Sequence, residues 1–291
     1  MRFLIICEFI GKNAPGIVFE KLILGLSKYH EVTVISTNAT YLKTKAENIV
    51  TLDVAKIQIP NKLVKFLFKN FSKNFFDKFW AKNIKSSLNR SKLESYDFIF
   101  SFISNYQYGP IVAGNLLSKN YKLKHLVYSV DGIPAPIGWL QDEKLLKAKI
   151  KFIKKELSKI DGFFAANEKM LKYQLEFFKP KLGFFSNVIY NPTDENIVNK
   201  INSKKDSVIR FVYAGGIYGP RKVTYILKAF EEYVKENKNT SFDFVGTCLE
   251  ESLLDSLSSE TRERIKIHRF TQDLSEYFQS ATALIDIDAD L

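Results

Sequence analysis

Apolar residues recur along this chain in two alternating rhythms. Short runs of strand formers come first, at Phe3–Cys7, Glu31–Ser36, Asn48–Val54, Tyr96–Ile103, Leu123–Val130, Asp161–Ala166 and Leu182–Ile189. Between them apolar positions repeat every three or four residues, which predicts helices. One starts near Gly16, with Val18, Leu22 and Leu26 on one face; others run through Ile111–Leu117, from about Asp142 to Lys159, and over Glu168–Phe178. The polar run Asn199–Ser207 interrupts the rhythm and reads as a linker. Beyond it come strands at Phe211–Ala214, Ser241–Val245, Ile265–His268 and Ala283–Ile287, with helices over Glu250–Leu257 and Asp273–Gln279. Strands alternating with helices predict an α/β chain with parallel sheets, divided into domains at 1–200 and 208–291.

The 291 residues, 46% of them hydrophobic, suffice for a large core in two domains. No apolar run is long enough to span a membrane. The N-terminal MRFLIICEFIG meets Glu8 too soon for a signal peptide and reads as a buried first strand. Cys7 and Cys248 lie far apart, which argues against a disulfide framework or a zinc site and fits a reducing cytoplasm. A formal charge of +11 points to an anionic partner: a nucleotide, a membrane surface or a nucleic acid.

The stretch Ile209–Phe230 concentrates the chemistry. A strand pattern runs into Gly215-Gly216 and Gly219-Pro220, then Arg221 and Lys222, then a helical face of Val223, Ile226, Leu227, Phe230 and Val234. Free N–H groups and the helix dipole favour an anion at such a turn, and two cations add to the field. A phosphate or diphosphate fits; a tight turn with two solvated cations is the plainer alternative. Neither a Walker A loop nor a G-x-G-x-x-G fingerprint is present.

Lys62–Lys92 is the most unusual segment. Nine cations, Lys62, Lys65, Lys69, Lys73, Lys78, Lys82, Lys85, Arg90 and Lys92, face a single acid, Asp77. Val64, Phe68, Phe71, Phe75 and Phe79 form a helical stripe beside the lysines. A basic amphipathic helix of this kind suits an anionic bilayer surface. An ordinary helix packing its aromatic face on the sheet, with snorkelling lysines outside, gives the same pattern. No RNP, zinc or helix-turn-helix signature supports nucleic acid.

The order of these pieces resembles the GT-B glycosyltransferases, in particular the retaining family 4 group, over nearly the whole chain. The resemblance rests on Pro15-Gly16 leading to His30-Glu31-Val32-Thr33-Val34, on Ile160-Asp161 before Ala165-Ala166-Asn167, and on Asn191-Pro192-Thr193-Asp194. It continues in Gly215–Val223 with Ile226–Phe230, in Phe244-Val245-Gly246, and in His268–Tyr277. It implies two Rossmann-like domains with a nucleotide-sugar donor, UDP- or GDP-linked, bound between them, and no cofactor. The implied acceptor is a glycan or a lipid-linked acceptor at the cytoplasmic membrane face, in cell-surface polysaccharide synthesis. Gly16, Gly215, Gly216, Arg221 and Lys222 are the donor-binding residues it implies.

Three departures qualify the match. The first arginine of the family's diphosphate clamp falls on Gly216, leaving Lys222 with Arg221 to carry the charge. The family's histidine after the strand Leu123–Val130 falls on Asp131. The family's pair of glutamates separated by seven residues would lie past Leu291; Glu168 and Glu176 have that spacing by coincidence, in a first-domain helix. The second domain is accordingly expected to stop short of its last units, and a non-catalytic remnant or partner subunit that keeps the fold is the alternative to an active enzyme. Asp131, followed by Gly132, is the candidate catalytic residue, holding a sugar hydroxyl or serving as a base, against a plain Asp-Gly turn. Asp286 and Asp288 would share one side of a strand, yet fraying terminal acids explain them more simply than a metal site. His30, His125 and His268 show no ligand spacing.

Overall fold

The computed structural model describes residues 1–11, 13–56, 75–88, 93–104, 107–134, 143–179, 184–192, 207–217, 221–271 and 273–287. The described residues up to Pro192 form one compact unit, and those from Thr193 onward form a second.

The first unit runs β1 (Arg2–Ile6), α1 (Ala14–Ser27), β2 (Glu31–Ser36), a 3-10 turn (Ala39–Thr44), β3 (Val50–Asp53), α2 (Phe75–Ser87), β4 (Phe98–Ile103) and α3 (Gly109–Tyr121). It continues through β5 (Lys124–Ser129), α4 (Glu143–Leu157), β6 (Gly162–Ala165), α5 (Glu168–Phe178) and β7 (Phe185–Val188). The seven strands are parallel, in the order β3-β2-β1-β4-β5-β6-β7. All seven expected strands are present: β1 is shifted by one residue, β2 has the expected bounds and the other five are shorter than expected. Central strands are covered on both faces, which is why they read as continuous apolar runs. Phe3, Ile5, Phe100, Phe102 and Tyr128 pack with α1 on one face; Leu4, Ile6 and Ile99 pack with α2 and α3 on the other.

Two helices present different faces from those the pattern suggested. In α1 the buried positions are Gly16, Phe19, Ile23 and Ser27, while Val18, Leu22 and Leu26 flank them half-buried. In α2 the buried side chains are Trp80, Ala81 and Ile84, packed on α3, and Phe79 of the expected stripe is 38% exposed. Trp80 wins the inward position because its indole N–H reaches the Val54 carbonyl at 2.9 Å, satisfying a polar group that few buried sites could. Val64, Phe68 and Phe71 of that stripe, with Lys62, Lys65, Lys69, Lys73, Arg90 and Lys92, lie outside the described residues.

A polar relay crosses this core. His125 on β5 is fully buried; its Nε2 lies 2.8 Å from Ser101 Oγ and its Nδ1 2.8 Å from Asn115 Oδ1. Asn115 in turn donates to the Glu156 carboxylate at 2.8 Å, joining β4, β5, α3 and α4. Burial pushes the His125 pKa down to about 3, so the ring is neutral at ordinary pH. Asn115 Oδ1 can only accept, which places the ring proton on Nδ1.

The second unit contains β8 (Ile209–Ala214), α6 (Thr224–Glu236), β9 (Thr240–Val245), α7 (Glu251–Asp255), α8 (Ser259–Glu263), β10 (Ile265–His268), α9 (Ser275–Ser280) and β11 (Ala283–Leu284). Its parallel sheet has the order β10-β9-β8-β11. Tyr213, Phe242 and Phe244 pack under Leu227, Phe230 and Val234 of α6. The opposite face is polar: Asp243, 4% exposed, is bonded by His268 Nε2 at 2.6 Å and lies 3.6 Å from Arg210 Nε. The expected last strand, Ala283–Ile287, is only two residues long, although Ile287 still reaches the core. Two short helices stand where one was expected, because Ser258 caps a new turn at Thr261.

Candidate functional site

In parallel sheets ligands gather where strands end in glycine-rich turns. In the second unit two neighbouring strands, β8 and β9, end this way. Gly215 follows β8 and donates to the Val245 carbonyl at 3.0 Å; Gly246 follows β9 and donates to the His268 carbonyl at 3.0 Å. Both have positive φ, 149° and 81°, which suits residues without a Cβ. The result is a ledge of backbone on which a ligand can lie close.

The predicted donor-binding residues of this unit are brought together at the β8 end of the ledge. The Gly216 carbonyl accepts from Tyr213 Oη at 3.0 Å and from Arg221 Nη1 at 3.3 Å. Ile217 N–H reaches Thr247 Oγ1 at 3.4 Å, tying this turn to the next strand end. Arg221 is half-buried and braces the turn, whereas Lys222 is exposed just before α6, whose capping position, Val223, offers no side-chain hydrogen bond. Among the described residues no side chain caps the first N–H groups of α6, and a cation stands beside them. Gly219 and Pro220 lie outside the described residues.

In the first unit Gly16 and Asp131 stand at the carboxyl ends of β1 and β5, with β4 between them, so roughly 10 Å of sheet separates them. The Gly16 N–H donates to Asn13 Oδ1 at 2.9 Å, closing the N-cap of α1. A Cβ on Gly16 would sit 3.0 Å from the Gly11 nitrogen, so this glycine brings loop and helix into contact. Asp131 is half-exposed, and its backbone carbonyl accepts from Ser129 Oγ at 2.6 Å. Burial, aided by the Asp131 charge, pushes the Tyr128 hydroxyl pKa up; that hydroxyl donates to Asn191 Oδ1 at 2.9 Å. The chain beyond Asp131 is held by α5, where Gln174 donates to the Ile133 carbonyl at 2.6 Å and Tyr173 to the Pro134 carbonyl at 3.2 Å.

One cluster at this edge escaped the sequence reading. Lys56 pairs with Glu8 and with Asp77, the latter at 3.1 Å, and its ammonium lies 5.7 Å from the Trp80 ring centroid. Glu8 directly follows the β1 edge, and Asp77 is the single acid of the basic segment. That isolation was the signal: an acid held among cations has a partner to meet. Among the described residues no group of His, Cys, Asp and Glu could hold a metal ion, and no helix is long and apolar enough to cross a membrane. Asp288 lies outside the described residues.

No protein-family model and no curated protein matches the chain. Solved structures do. TarM aligns at a TM-score of 0.62 with 8% identity, covering 97% of this chain and 79% of its own. WaaG, a glycosyltransferase involved in lipopolysaccharide biosynthesis, aligns at 0.59 with 12% identity, covering 97% and 74%. Anabaena Alr3699/HepE, in complex with UDP and glucose, aligns at 0.58 with 14% identity, covering 97% and 73%. At such identities the likeness concerns architecture alone, and the architecture is the GT-B fold of glycosyltransferases.

Proposed function

We propose that this chain is a glycosyltransferase that takes its sugar from a UDP- or GDP-linked donor, with the diphosphate on the glycine ledge of the second unit. The observation that carries this reading is the convergence of Gly215, Gly246, Lys222 and the uncapped start of α6 at one sheet edge. As the donor bond breaks, negative charge grows on the leaving diphosphate, and a fixed cation beside backbone N–H groups lowers that barrier. Asp131 is the candidate for holding a sugar hydroxyl or accepting the acceptor's proton. Transfer with retention, to a glycan or lipid-linked acceptor, is the finer reading that the family 4 resemblance adds. Titration calorimetry of the chain with UDP, GDP and their sugars is expected to show binding of at least one nucleotide. Absence of heat with every one of them would remove the basis of the proposal.

A second reading, nucleotide binding without turnover, draws on Gly216, where the family's clamp has an arginine, and on Arg221, which bonds its own turn. Turnover of the nucleotide sugar that binds, followed by release of free nucleotide, separates the two.

A membrane acceptor fits α2, a helix whose outward side carries Lys78, Phe79 and Lys82. A cytoplasmic protein peripheral to an anionic membrane follows from this reading. Co-sedimentation with vesicles containing anionic lipid is expected, with release by salt, each surface lysine contributing about 1 kcal/mol. Equal binding to neutral vesicles, or none to either, leaves α2 a packed helix only.

A further inference from the structure

The polar face of the second unit's sheet holds a cavity of about 190 Å³ between the strands and α9. Asp243 of β9 lines it, buried, and held by His268 of β10 at 2.6 Å and by Arg210 of β8 at 3.6 Å. Lys266, Glu276 and Tyr277 stand around it, the last with its ring edge-on to His268, 5.0 Å between centroids. Every side chain that lines the cavity carries a hydrogen-bonding group. The other face of the same sheet is packed with Phe242 and Phe244, so this concentration of polar groups is a local feature. Asp243 has its partners, whereas the exposed side chains of Lys266 and Glu276 form no ion pair among the described residues. Asp243 lies three residues before Gly246, roughly 10 Å of strand from the glycine ledge, so the cavity is a separate place.

From this lining we infer that the cavity is a binding site for one neutral sugar ring. Charge selects the class first. Arg210 and Lys266 offset Asp243 and Glu276, so a small anion meets two carboxylates and a small cation meets two fixed positive charges. A hydroxyl escapes that conflict, because it donates and accepts at once and can bridge a carboxylate and an ammonium. Each such bond is charge-assisted, and therefore roughly twice as strong as a neutral one. Size narrows the class further. The cavity is smaller than the about 300–1,000 Å³ of sites that hold drug-sized ligands, which leaves room for a single ring and not for a nucleotide sugar. Tyr277 gives the C–H groups of that ring a carbon surface to pack against. Glu276 and Lys266 take hydroxyls at the open side, and Asp243, with His268 and Arg210 beside it, takes the deepest. This site goes beyond the donor reading and stands without it.

Histidine ring signals in the NMR spectrum of the full chain read this site, because the sequence has three histidines. The His125 ring is identified by staying neutral across ordinary pH, and His30→Gln removes a second signal, which leaves that of His268. Glucose, galactose, mannose and N-acetylglucosamine are the probes, added to wild type, Lys266→Ala and Glu276→Gln. Both substitutions fall on exposed side chains, so the fold is kept. At least one of the sugars is expected to shift the His268 signal of wild type, with binding weakened about fivefold or more in each variant. The methyl glycoside of that sugar then separates the sources: equal binding marks the terminal unit of a glycan, and exclusion marks a free sugar, each in keeping with the site. No shift of the His268 signal with any of the four sugars overturns the inference. Equal binding in wild type and both variants overturns it too, since the sugar then sits elsewhere. Inorganic phosphate that binds at His268 more tightly than every sugar would overturn the choice of a neutral ligand.

Discussion

Gly114→Ala is expected to destabilise the chain by about 3–5 kcal/mol, combining overpacking with a broken buried hydrogen-bond relay. A Cβ at this position would stand 2.1 Å from His125 Nε2 and 2.7 Å from Ser101 Oγ, distances no relaxed structure tolerates. Both neighbours are fully buried, and both belong to the relay through Asn115 to Glu156. Neither can swing into solvent, so α3 must lift from β4 and β5 or the relay must open. Either way a neutral imidazole, pushed to a pKa of about 3, loses partners in a fully buried site. Gly25→Ala is the matched control. That glycine is exposed in α1, a Cβ there meets nothing within 4 Å, and alanine is expected to stabilise by about 0.5–1 kcal/mol. Urea unfolding of the two variants reads both effects. A Gly114→Ala chain within 1 kcal/mol of wild type would mean the relay is far looser than its geometry implies.

Asp131→Asn is expected to lower turnover of the bound nucleotide sugar about a hundredfold or more, with nucleotide affinity and melting temperature unchanged. The change keeps the shape, and the Ser129 hydroxyl still bonds the backbone carbonyl of residue 131, so the turn after β5 persists. What disappears is a half-exposed charge at the carboxyl edge of the sheet. A secondary sign is available: without that charge, the Tyr128 hydroxyl pKa should move down, since the Asp131 charge helps to raise it. Ultraviolet titration of the tyrosines would register the shift. Unchanged turnover alongside the moved tyrosine would leave Asp131 as a turn residue that happens to carry charge. Lost turnover with lowered melting temperature would instead point to the loop that α5 holds through Ile133 and Pro134.

The strands and most of the helices were legible in the chain's own periodicity. A central strand's burial comes from being sandwiched, and a sandwiched strand is largely apolar, so Phe98–Ile103 announces itself locally. The glycine turn after β8 was legible for a similar reason: Gly215 at positive φ is a demand of the local backbone. Which face of a helix turns inward was less so. In α2 both Phe79 and Trp80 are large and aromatic, and adjacent positions differ by only a fraction of a turn. The choice fell to the Val54 carbonyl, a partner that no local window contains. His125 read as one residue in a basic stretch, yet it is the buried hub of a relay whose members come from four elements.

By itself, then, the amino-acid order determined the α/β alternation, the parallel strands and the glycine ends of β8 and β9, because those depend on residues within a few positions of one another. Tertiary structure alone decided that Lys56 meets Glu8 and Asp77, and that Phe270 lies against Gly246. Coulomb attraction and close packing act on distance in space, and strand order, which brings β10 beside β9 and β5 two places from β1, is what turns separation along the chain into contact.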